Sequence, residues 1–362
     1  MADIARRIPS ASSVQQLARI QVNNFFTRHP GLSQEQCIKL AAGILGCRRD
    51  EVLPAETQGA YSFTLVRANS PARETVVQFR DLGSPLNIEI LQLARETYCS
   101  MAHSCRVIDC GLDDEALVYA MSRIDGSAFA VAKRDLYYDQ NGERLIRLVG
   151  DFAIFIASSL ASLRLLEPSQ SDAQLYNAIK KLDTLRSNVP AHLQPKLAEV
   201  YDRVPVIFGR QHAQVLNHAD LQEPNIHVDI TSGAMVGVVD WDDAEIGPFG
   251  TALSWFEPLL FAITADGERY WHPLHRCLRQ VFYDALCDAL EAQCGNLAKD
   301  QFYLDPNAIE AARAFCLFIN YAKNDRDGGG PSQLSLATLE ACLAEETAIQ
   351  PFLQRLSRSG HY

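Results

Sequence analysis

A carboxylate and a carboxamide stand five residues apart in the segment HADLQEPN, which runs from His218 to Asn225. Asp220 could accept a proton from a hydroxyl, and the Asn225 side chain offers an oxygen to a hard cation such as Mg²⁺. A second carboxylate, Asp240, follows in the segment VVDWDDA. A proton acceptor beside two magnesium ligands suits phosphoryl transfer, in which the protein mainly positions the acceptor and neutralises phosphate charge.

The segment between Asn225 and Asp240 predicts a β-hairpin. Residues 226–230 (IHVDI) alternate like a strand, 231–233 (TSG) suit a turn, and 234–239 (AMVGVV) form a second β-rich run. Because the two ends of a hairpin lie close together, we expect Asn225 and Asp240 to share a pocket. The pattern HxDxxxxN alone also fits an ordinary capped turn. The hairpin and the following Asp-Trp favour the catalytic interpretation.

With these two segments the chain resembles the aminoglycoside phosphotransferase and choline kinase-like superfamily, which are small-molecule kinases with the protein-kinase fold. The second segment, VVDWDDAEIGPFG, is especially similar to the fungal phosphotransferase enzyme proteins of that superfamily. The resemblance implies that Asp220 is the catalytic base, that His218 braces its loop, and that Asn225 and Asp240 bind Mg²⁺. Ala219 replaces the family's usual Gly, and we expect it to be tolerated unless the backbone there needs a positive φ.

The amino-terminal half offers candidates for the nucleotide-binding parts of a kinase. Residues 53–68 contain a turn at Gly59 between two extended runs, which resembles a phosphate-covering hairpin. A plain β-turn is the alternative. In the segment ETVVQFR, Arg80 takes the place of the kinase β3 lysine by register, and its guanidinium could hold phosphate through two hydrogen bonds.

A helix is predicted after this strand, with Ser84 as its N-cap and Pro85 in its first turn. Glu89 on that helix is the predicted partner of Arg80. Glu96 lies on nearly the same face and is the competing candidate, and a solvated surface position is the alternative for either residue.

The segment EALVYAMSRIDG predicts an apolar strand that runs into a polar break at residues 122–126. It resembles the hinge of a kinase. By position, Met121 would back the adenine pocket, and backbone groups of Ser122 and Ile124 would bind the edge of the base.

Length and composition leave room for two lobes around a cleft. At 362 residues and 48% hydrophobic content the chain can bury a large core. The resemblance implies an α+β, protein-kinase-like fold: a small N-terminal antiparallel β-sheet lobe with leading helices that binds the nucleotide (residues 1–121), and a larger, mostly helical lobe for catalysis and substrate binding (residues 122–362).

The charge of the chain bears on its substrate. A formal net charge of −11 argues against nucleic acid, because phosphate contacts need clustered Lys and Arg, and favours a neutral or cationic acceptor. Four acidic residues near the motif could attract an amine-bearing alcohol: Glu223, Asp242, Asp243 and Glu245. The alternative is that residues 242–245 cap the next turn or face solvent. His227, by contrast, is expected to be an ordinary, satisfied strand residue.

Apolar residues in helical phase predict the remaining helices. The expected spans are 33–46 with a capping box, 152–166 in the core, 251–263, 275–292, 306–323 and 334–353. Residues 324–333 (NDRDGGGPSQ) are expected to form a flexible turn.

The cysteines and the apolar segments favour a cytoplasmic protein that is not inserted in a membrane. Ten cysteines are scattered without a CxxC pair, which favours reduced thiols, and zinc at the closest cluster, Cys99, Cys105 and Cys110, is disfavoured. The run 152–166 is shorter than a membrane span. A leading helix is favoured for the first twenty residues, with a mitochondrial presequence as the alternative.

These features predict an enzyme that uses ATP (or GTP) and Mg²⁺ to phosphorylate a hydroxyl of a small molecule, such as an aminoglycoside-, choline- or secondary-metabolite-like acceptor. A catalytically inactive, kinase-like nucleotide-binding scaffold is the alternative, and the intact set of Asp220, Asn225 and Asp240 disfavours it. A protein kinase would need an activation segment, for which the short path after Asp240 leaves no room. The acceptor and the oligomeric state are left open by the sequence.

Overall fold

The computed structural model describes residues 8, 11–68, 74–112, 114–139, 141–164, 166–209, 212–263, 268–294, 304–324, 330–344, 349 and 352–356. The chain divides into two compact units. The first, called the sheet unit, comprises residues 8–138 and 222–242, and the second, called the helical unit, comprises residues 139–221 and 243–362.

The sheet unit is built on a five-stranded antiparallel sheet with the order β1-β2-β3-β5-β4. Its strands are β1 (Val52–Pro54), β2 (Ser62–Arg67), β3 (Glu74–Arg80), β4 (Cys105–Val107) and β5 (Leu117–Ser122). Side chains alternate between the two faces, as the sequence predicts. Phe63, Val77 and Phe79 are fully buried on one face, whereas Gln78 and Arg80 line a cavity on the other.

Two helices precede the sheet and cover its apolar face: α1 (Ala11–Arg28) and α2 (Gln34–Leu45). The predicted capping box of α2 is confirmed. The Ser33 hydroxyl accepts a hydrogen bond from the Gln36 amide at 3.2 Å, and the Gln36 side chain accepts one from the Ser33 amide at 2.8 Å. The helix ends at Gly46, whose left-handed φ of 59° suits a residue without a Cβ.

Helix α3 (Ile88–Tyr98) begins later than the sequence suggested. Its N-cap is Asn87, whose side-chain oxygen accepts from the Ile90 amide at 3.1 Å. The predicted cap, Ser84, instead closes a turn, because its amide donates to the Asp81 carbonyl at 3.0 Å. Asn is as good a cap as Ser, so the choice depended on the preceding turn.

The predicted hairpin is present and belongs to the sheet unit. Strands β8 (Ile226–Val228) and β9 (Met235–Val238) pair antiparallel, and β6 (Ser127–Ala128) pairs with β8. Helix α4 (Phe129–Tyr137) follows β6 directly. By their contacts, residues 122–138 and 222–242 belong to the sheet unit. The predicted lobe boundary at residue 121 stays a prediction.

The helical unit contains most of the remaining elements. These are α5 (Glu143–Ser158), α6 (Pro168–Leu185), α7 (Gln194–Ile207), β7 (Gln214–Asn217), β10 (Glu245–Pro248), β11 (Phe261–Ile263), β12 (Arg269–Trp271), α8 (His275–Cys294), α9 (Pro306–Tyr321) and α10 (Gln333–Ala344). Strand β7 pairs with β10, and β11 pairs with β12. The small sheet unit and this mostly helical unit confirm the predicted α+β fold class.

One of the predicted helices, over residues 251–263, differs from the structure. Residues 251–263 form two short 3₁₀ turns, Thr251–Trp255 and Glu257–Leu260, followed by strand β11. Pro258 stands inside this stretch, and a proline lacks the amide that an α-helix interior requires. Of the helix predicted over 334–353, the structure describes α10 (Gln333–Ala344), and residues 345–348, 350 and 351 lie outside the described part of the chain, as do residues 325–329 of the predicted turn.

The apolar helix predicted at 152–166 starts earlier and is a core helix. The stretch Glu143–Ser162 is long and apolar enough to cross a membrane by composition alone, so the predicted shortness was wrong. However, 61% of its most apolar window is buried within the protein. It packs against α8, where the rings of Phe152 and Phe282 lie 6.1 Å apart. A mostly buried helix of this kind is typical of a protein core.

Candidate active site

A cavity of about 850 Å³ opens in the sheet unit, and all of its lining residues belong to that unit. The polar face of β2 and β3 forms one side, and the hairpin β8–β9 forms another. Of the residues singled out in the sequence, Arg80, Asn225 and Asp240 line this cavity. So do Gly59 and the hinge residues Met121, Ser122 and Ile124.

Asn225 and Asp240 lie at the two ends of the hairpin, as predicted. The Val239 amide donates to the Asn225 carbonyl at 3.0 Å, which extends the strand pairing to the mouth of the hairpin. Asn225 is buried and Asp240 is exposed. Together they present one amide oxygen and one carboxylate to the same cavity.

The backbone at Asp240 is unusual. Its φ is +64°, a left-handed conformation that residues with a Cβ rarely adopt, although Asp and Asn tolerate it better than most. The next residue, Trp241, is only 1% exposed, and its indole NH donates to the Val238 carbonyl at 3.0 Å. Its ring lies 5.1 Å from that of Tyr98. This buried anchor holds Asp240 in a costly conformation, and such conformations are concentrated at functional sites.

Arg80 is buried, and each of its three side-chain nitrogens has a protein partner. Nε donates to the Ser84 carbonyl at 2.9 Å, one terminal nitrogen donates to Gln78 at 3.0 Å, and the other forms a short ion pair with Asp242. The prediction that Arg80 pairs with Glu89 was therefore wrong. Glu89 is exposed on α3, since the helix begins after the turn at Ser84. The competing candidate, Glu96, is exposed too and accepts from Gln92 at 3.0 Å.

Asp242 also lines the cavity, and its ion pair with Arg80 was not predicted from the sequence. It was expected to cap a turn, face solvent or attract a cationic acceptor, and it neutralises Arg80 instead. Glu223, another of the four acids, pairs with Lys133. No local signal distinguishes these two acids from their neighbours, because both cationic partners are distant in sequence.

The turn containing Gly59 is braced by a buried side chain. Gln58 donates to the carbonyls of Ala55 and Thr64 at 3.0 and 2.9 Å and accepts from the Thr64 amide at 2.8 Å. A Cβ added at Gly59 would lie 2.7 Å from the Ser62 hydroxyl, so the close approach there favours glycine. The turn is a fixed part of the cavity wall.

The hinge residues are placed at the cavity, with one restriction. The Ser122 amide donates to the Ser104 carbonyl at 3.0 Å, and the Ser122 hydroxyl accepts from the Ser104 amide at 2.8 Å. The amide of Ser122 is thus already used within the protein, and the base-binding role of this residue stays a prediction. Met121 and Ile124 are buried, as expected for apolar wall residues.

The loop that leads to Asn225 is tied to helix α4. Lys133, which is 3% exposed, donates to the Glu223 carboxylate at 2.5 Å, and the Ala130 amide donates to the Glu223 carbonyl at 3.0 Å. The Lys133 ammonium also lies 5.2 Å from the ring of Tyr137. A buried cation with an acidic partner and an aromatic neighbour gives the loop a defined position.

His227 lines the same cavity and is less satisfied than the sequence suggested. Burial lowers the pKa of its ring to about 4, although a hydrogen bond to the Asp125 backbone opposes this. Its Nδ1 is buried and has no hydrogen-bond partner among the described residues. The charge of Arg123 lowers the pKa further, and His227 is therefore neutral near pH 7.

The first half of the motif lies in the helical unit. His218 is 3% exposed, and its Nδ1 accepts a hydrogen bond from the Asp220 amide at 3.4 Å. In the neutral ring the proton is then on Nε2. Among the described non-glycine residues, positive φ occurs at Cys99 and Asp240, so Ala219 has an ordinary backbone and no strain from replacing glycine.

A sheet unit with a polar cavity, joined to a mostly helical unit, defines a kinase-like two-lobed protein. The chain belongs to the phosphotransferase enzyme family, whose family model matches residues 56–281. It is by class a small-molecule phosphotransferase, as the sequence predicts. No curated protein gives a significant match to this sequence.

Solved structures show the same fold at low sequence identity. A glucosamine kinase (crystal form A) superposes with a TM-score of 0.56 and 13% identity, over 88% of this chain and 84% of that one. Choline kinase from Cryptosporidium parvum Iowa II gives a TM-score of 0.53 and 14% identity, over 90% of this chain and 99% of that one. Glucosamine kinase in complex with glucosamine, ADP and inorganic phosphate gives 0.54 and 12%, over 86% and 83%.

Proposed function

We propose that this protein transfers the γ-phosphoryl group of ATP, or of GTP, to a hydroxyl of a small molecule. Asp220 is the proposed base, Asn225 and Asp240 are the proposed Mg²⁺ ligands, and His218 is proposed to orient the loop of Asp220. The observation that supports this most strongly is that Asn225 and Asp240 line one cavity with Arg80 and the hinge.

The donor set suits magnesium. Mg²⁺ prefers oxygen ligands and is usually held by one or two side chains together with substrate phosphates and water. Among the described residues, no group of three or more His, Cys, Asp or Glu side chains could hold a metal. An amide and a carboxylate at the mouth of the hairpin would leave the other positions to phosphate oxygens and water. Bound Mg²⁺ would neutralise phosphate charge.

Arg80, Asp220 and His218 would then have separate roles in the transfer. Arg80, fixed by Asp242 and Gln78, retains guanidinium N–H groups beyond the three donors already used, and these could reach a phosphate. As the acceptor oxygen forms its bond to phosphorus and the bond to the leaving nucleoside diphosphate breaks, the Asp220 carboxylate takes the hydroxyl proton. The His218 contact with the Asp220 amide would restrict the loop that carries this carboxylate.

The acceptor proposed is an alcohol that also carries an amine. The net charge of −11 favours a cationic or neutral acceptor over an anionic one. Asp243 and Glu245 are exposed next to the motif, whereas Asp242 and Glu223 are already neutralised by their own partners. Glucosamine and choline, named for the structural neighbours, both fit this description and are suitable first probes.

The test is product formation with an acceptor panel. Purified protein is incubated with ATP, Mg²⁺ and glucosamine, choline or an aminoglycoside, and mass spectrometry detects acceptors that have gained a phosphoryl group. Wild type is expected to phosphorylate an amine-bearing alcohol, and Asp220→Asn is expected to lose about 10²–10⁴-fold in rate while still binding nucleotide. Asp172→Asn, an exposed acid on α6 that does not line the cavity, is the matched control.

The inactive scaffold remains the second candidate function, because a kinase-like fold can bind a nucleotide without turnover. Magnesium-dependent nucleotide binding with no phosphorylated product across a broad panel of hydroxyl compounds would favour it. Equal turnover in wild type and Asp220→Asn would overturn the assignment of the base.

A further inference from the structure

One wall of the cavity is helix α1, which precedes the part of the chain matched by the family model. Gln15, Ala18, Arg19, Val22 and Asn23 line the cavity. Their spacing of three and four residues places them on one face of the helix. The wall is therefore a regular helical surface that presents polar side chains to the cavity at three positions.

The position of α1 is fixed by aromatic packing. Phe25, near its end, is completely buried, and its ring lies 6.2 Å from that of Phe63 on β2. Phe26 makes an edge contact with the same ring at 5.0 Å. Since β2 also carries the polar face of the cavity, the helix and the strand form a single packed body.

The end of α1 is also bonded to the turn containing Gly59. Arg28 donates to the Ala60 carbonyl at 2.7 Å and to the Asp81 carboxylate at 2.9 Å. His29 contacts the other oxygen of Asp81 at 2.6 Å. The helix is thus connected to the turn for which a phosphate-covering role was predicted.

Arg19 is the cation on this wall. Among the arginines that line the cavity, Arg80 is neutralised by Asp242, and Arg123 stands in the hinge between the two residues predicted to bind the base. Arg19 is exposed, and within the described part of the chain it forms no hydrogen bond or ion pair. A triphosphate carries several negative charges, and Arg19 can form an ion pair with them without breaking an existing bond to the protein.

We propose that Arg19 binds the phosphate groups of the nucleotide, so that helix α1 forms part of the nucleotide-binding site. This rests on the proposed function, since it takes a nucleotide as the ligand of the cavity. A guanidinium can bind a phosphate through two parallel hydrogen bonds. Gln15 and Asn23, one turn on either side of Arg19, are neutral, so neither of them forms an ion pair with Arg19 or with a phosphate.

The experiment compares phosphate-bearing and phosphate-free ligands. Dissociation constants for ATP, ADP and adenosine are measured by calorimetry, with Mg²⁺ present, for wild type, Arg19→Met, Arg19→Lys and Gln16→Ala. Gln16, three residues before Arg19, is an exposed polar residue of α1 that does not line the cavity. Arg19→Met is expected to weaken ATP and ADP about tenfold and adenosine less than about twofold. Arg19→Lys should retain part of the affinity, and Gln16→Ala all of it.

The outcomes separate this inference from the proposed function. If Arg19→Met binds ATP as well as wild type does, or loses affinity for adenosine to the same degree, Arg19 does not recognise phosphate and the inference is overturned. If wild type itself binds no nucleotide, the proposed function fails first. Because Arg19 is exposed, its variants should fold normally, and unchanged melting temperatures without ligand will verify this.

Discussion

At the scale of single residues, the ion pair between buried Arg80 and partly exposed Asp242 is the clearest departure from what the sequence suggested. Arg80 was expected to pair with a glutamate on the next helix, as its kinase register implies. The structure gives it an acid two residues after Asp240. The pair therefore links β3 to the segment that carries the proposed magnesium ligand, and it should matter for both stability and nucleotide binding.

Arg80→Met is expected to lower the free energy of unfolding by about 2 kcal/mol, because it removes the hydrogen bonds of Arg80 and leaves the partly buried Asp242 carboxylate without its cation. Urea denaturation measures this. The double variant Arg80→Met/Asp242→Asn should be more stable than the sum of the two single changes predicts, since it removes both charges together. Strict additivity would contradict the pairing.

Asp240 and Gly59 show which single-residue features could be read from sequence. Their candidate status followed from residue type, spacing and flanking pattern, and both line the same cavity. The left-handed backbone of Asp240 could not be predicted, because it depends on the packing of Trp241 against Tyr98. The neutral state of His227 could not be predicted either, since it depends on burial.

At the scale of elements, the elements whose signal is local were predicted best. The capping box of α2 and the hairpin β8–β9 depend on neighbouring residues, and both are present. Two helix predictions were wrong. The start of α3 was misplaced because Ser84 closes a turn, and residues 251–263 do not form an α-helix because Pro258 interrupts them. The wall formed by α1 was not predicted, since its register against β2 depends on non-local packing.

Lys133→Met tests how helix α4 positions the loop that carries Asn225. Losing the bond from Lys133 to Glu223 should shift the loop and lower the rate of phosphoryl transfer about 10–100-fold. The apparent affinity for Mg²⁺ should weaken as well. If Lys133 only stabilised the fold, the protein that remains folded would bind Mg²⁺ as tightly as wild type does. Steady-state kinetics over a magnesium series measures both effects. Full activity in a folded Lys133→Met protein would show that the loop needs no such anchor.

Arg28 and His29 both bond to the Asp81 carboxylate, an arrangement called the Asp81 clamp below. This clamp predicts that the stability of the protein depends on pH. Burial raises the pKa of Asp81, but hydrogen bonds from His29 and Arg28 outweigh this, and the net effect is a pKa below the ordinary value of 3.8. The unfolded chain then takes up a proton at higher pH than the folded protein does. The clamp's contribution is fully present above about pH 4 and is lost as the pH falls through the lower, folded-state value.

Asp81→Asn should flatten this part of the profile. Chemical denaturation between about pH 5 and pH 2 should show a smaller decline in the free energy of unfolding for the variant than for wild type. Identical slopes for the two proteins would mean that Asp81 is not clamped as described. Since the clamp also holds the Ala60 carbonyl, the variant should bind nucleotide more weakly at neutral pH.

At the scale of the whole molecule, the sequence was sufficient for the class of protein and insufficient for its acceptor. Two short motifs and a hydrophobic hairpin predicted a kinase-like phosphotransferase, and the family model and the fold agree. Residues 222–242 belong to the sheet unit, and their strands pair with β6, about a hundred residues earlier, so this grouping depends on contacts that are distant in sequence. The acceptor depends on the shape of a pocket that no local pattern encodes.

The measurement that tests the central claim most directly is thermal stability with and without magnesium and ATP, for wild type, Asp240→Asn and the neighbouring control Asp243→Asn. Asparagine tolerates the left-handed backbone at position 240, so the variant removes charge without adding strain. At a ligand concentration 100 times Kd, wild type should gain about 2.7 kcal/mol and melt at a higher temperature.

We predict that the shift requires both magnesium and ATP, is preserved in Asp243→Asn and is largely lost in Asp240→Asn. A shift of equal size in Asp240→Asn, or one that does not need magnesium, would contradict the claim that this cavity binds a magnesium nucleotide through Asp240.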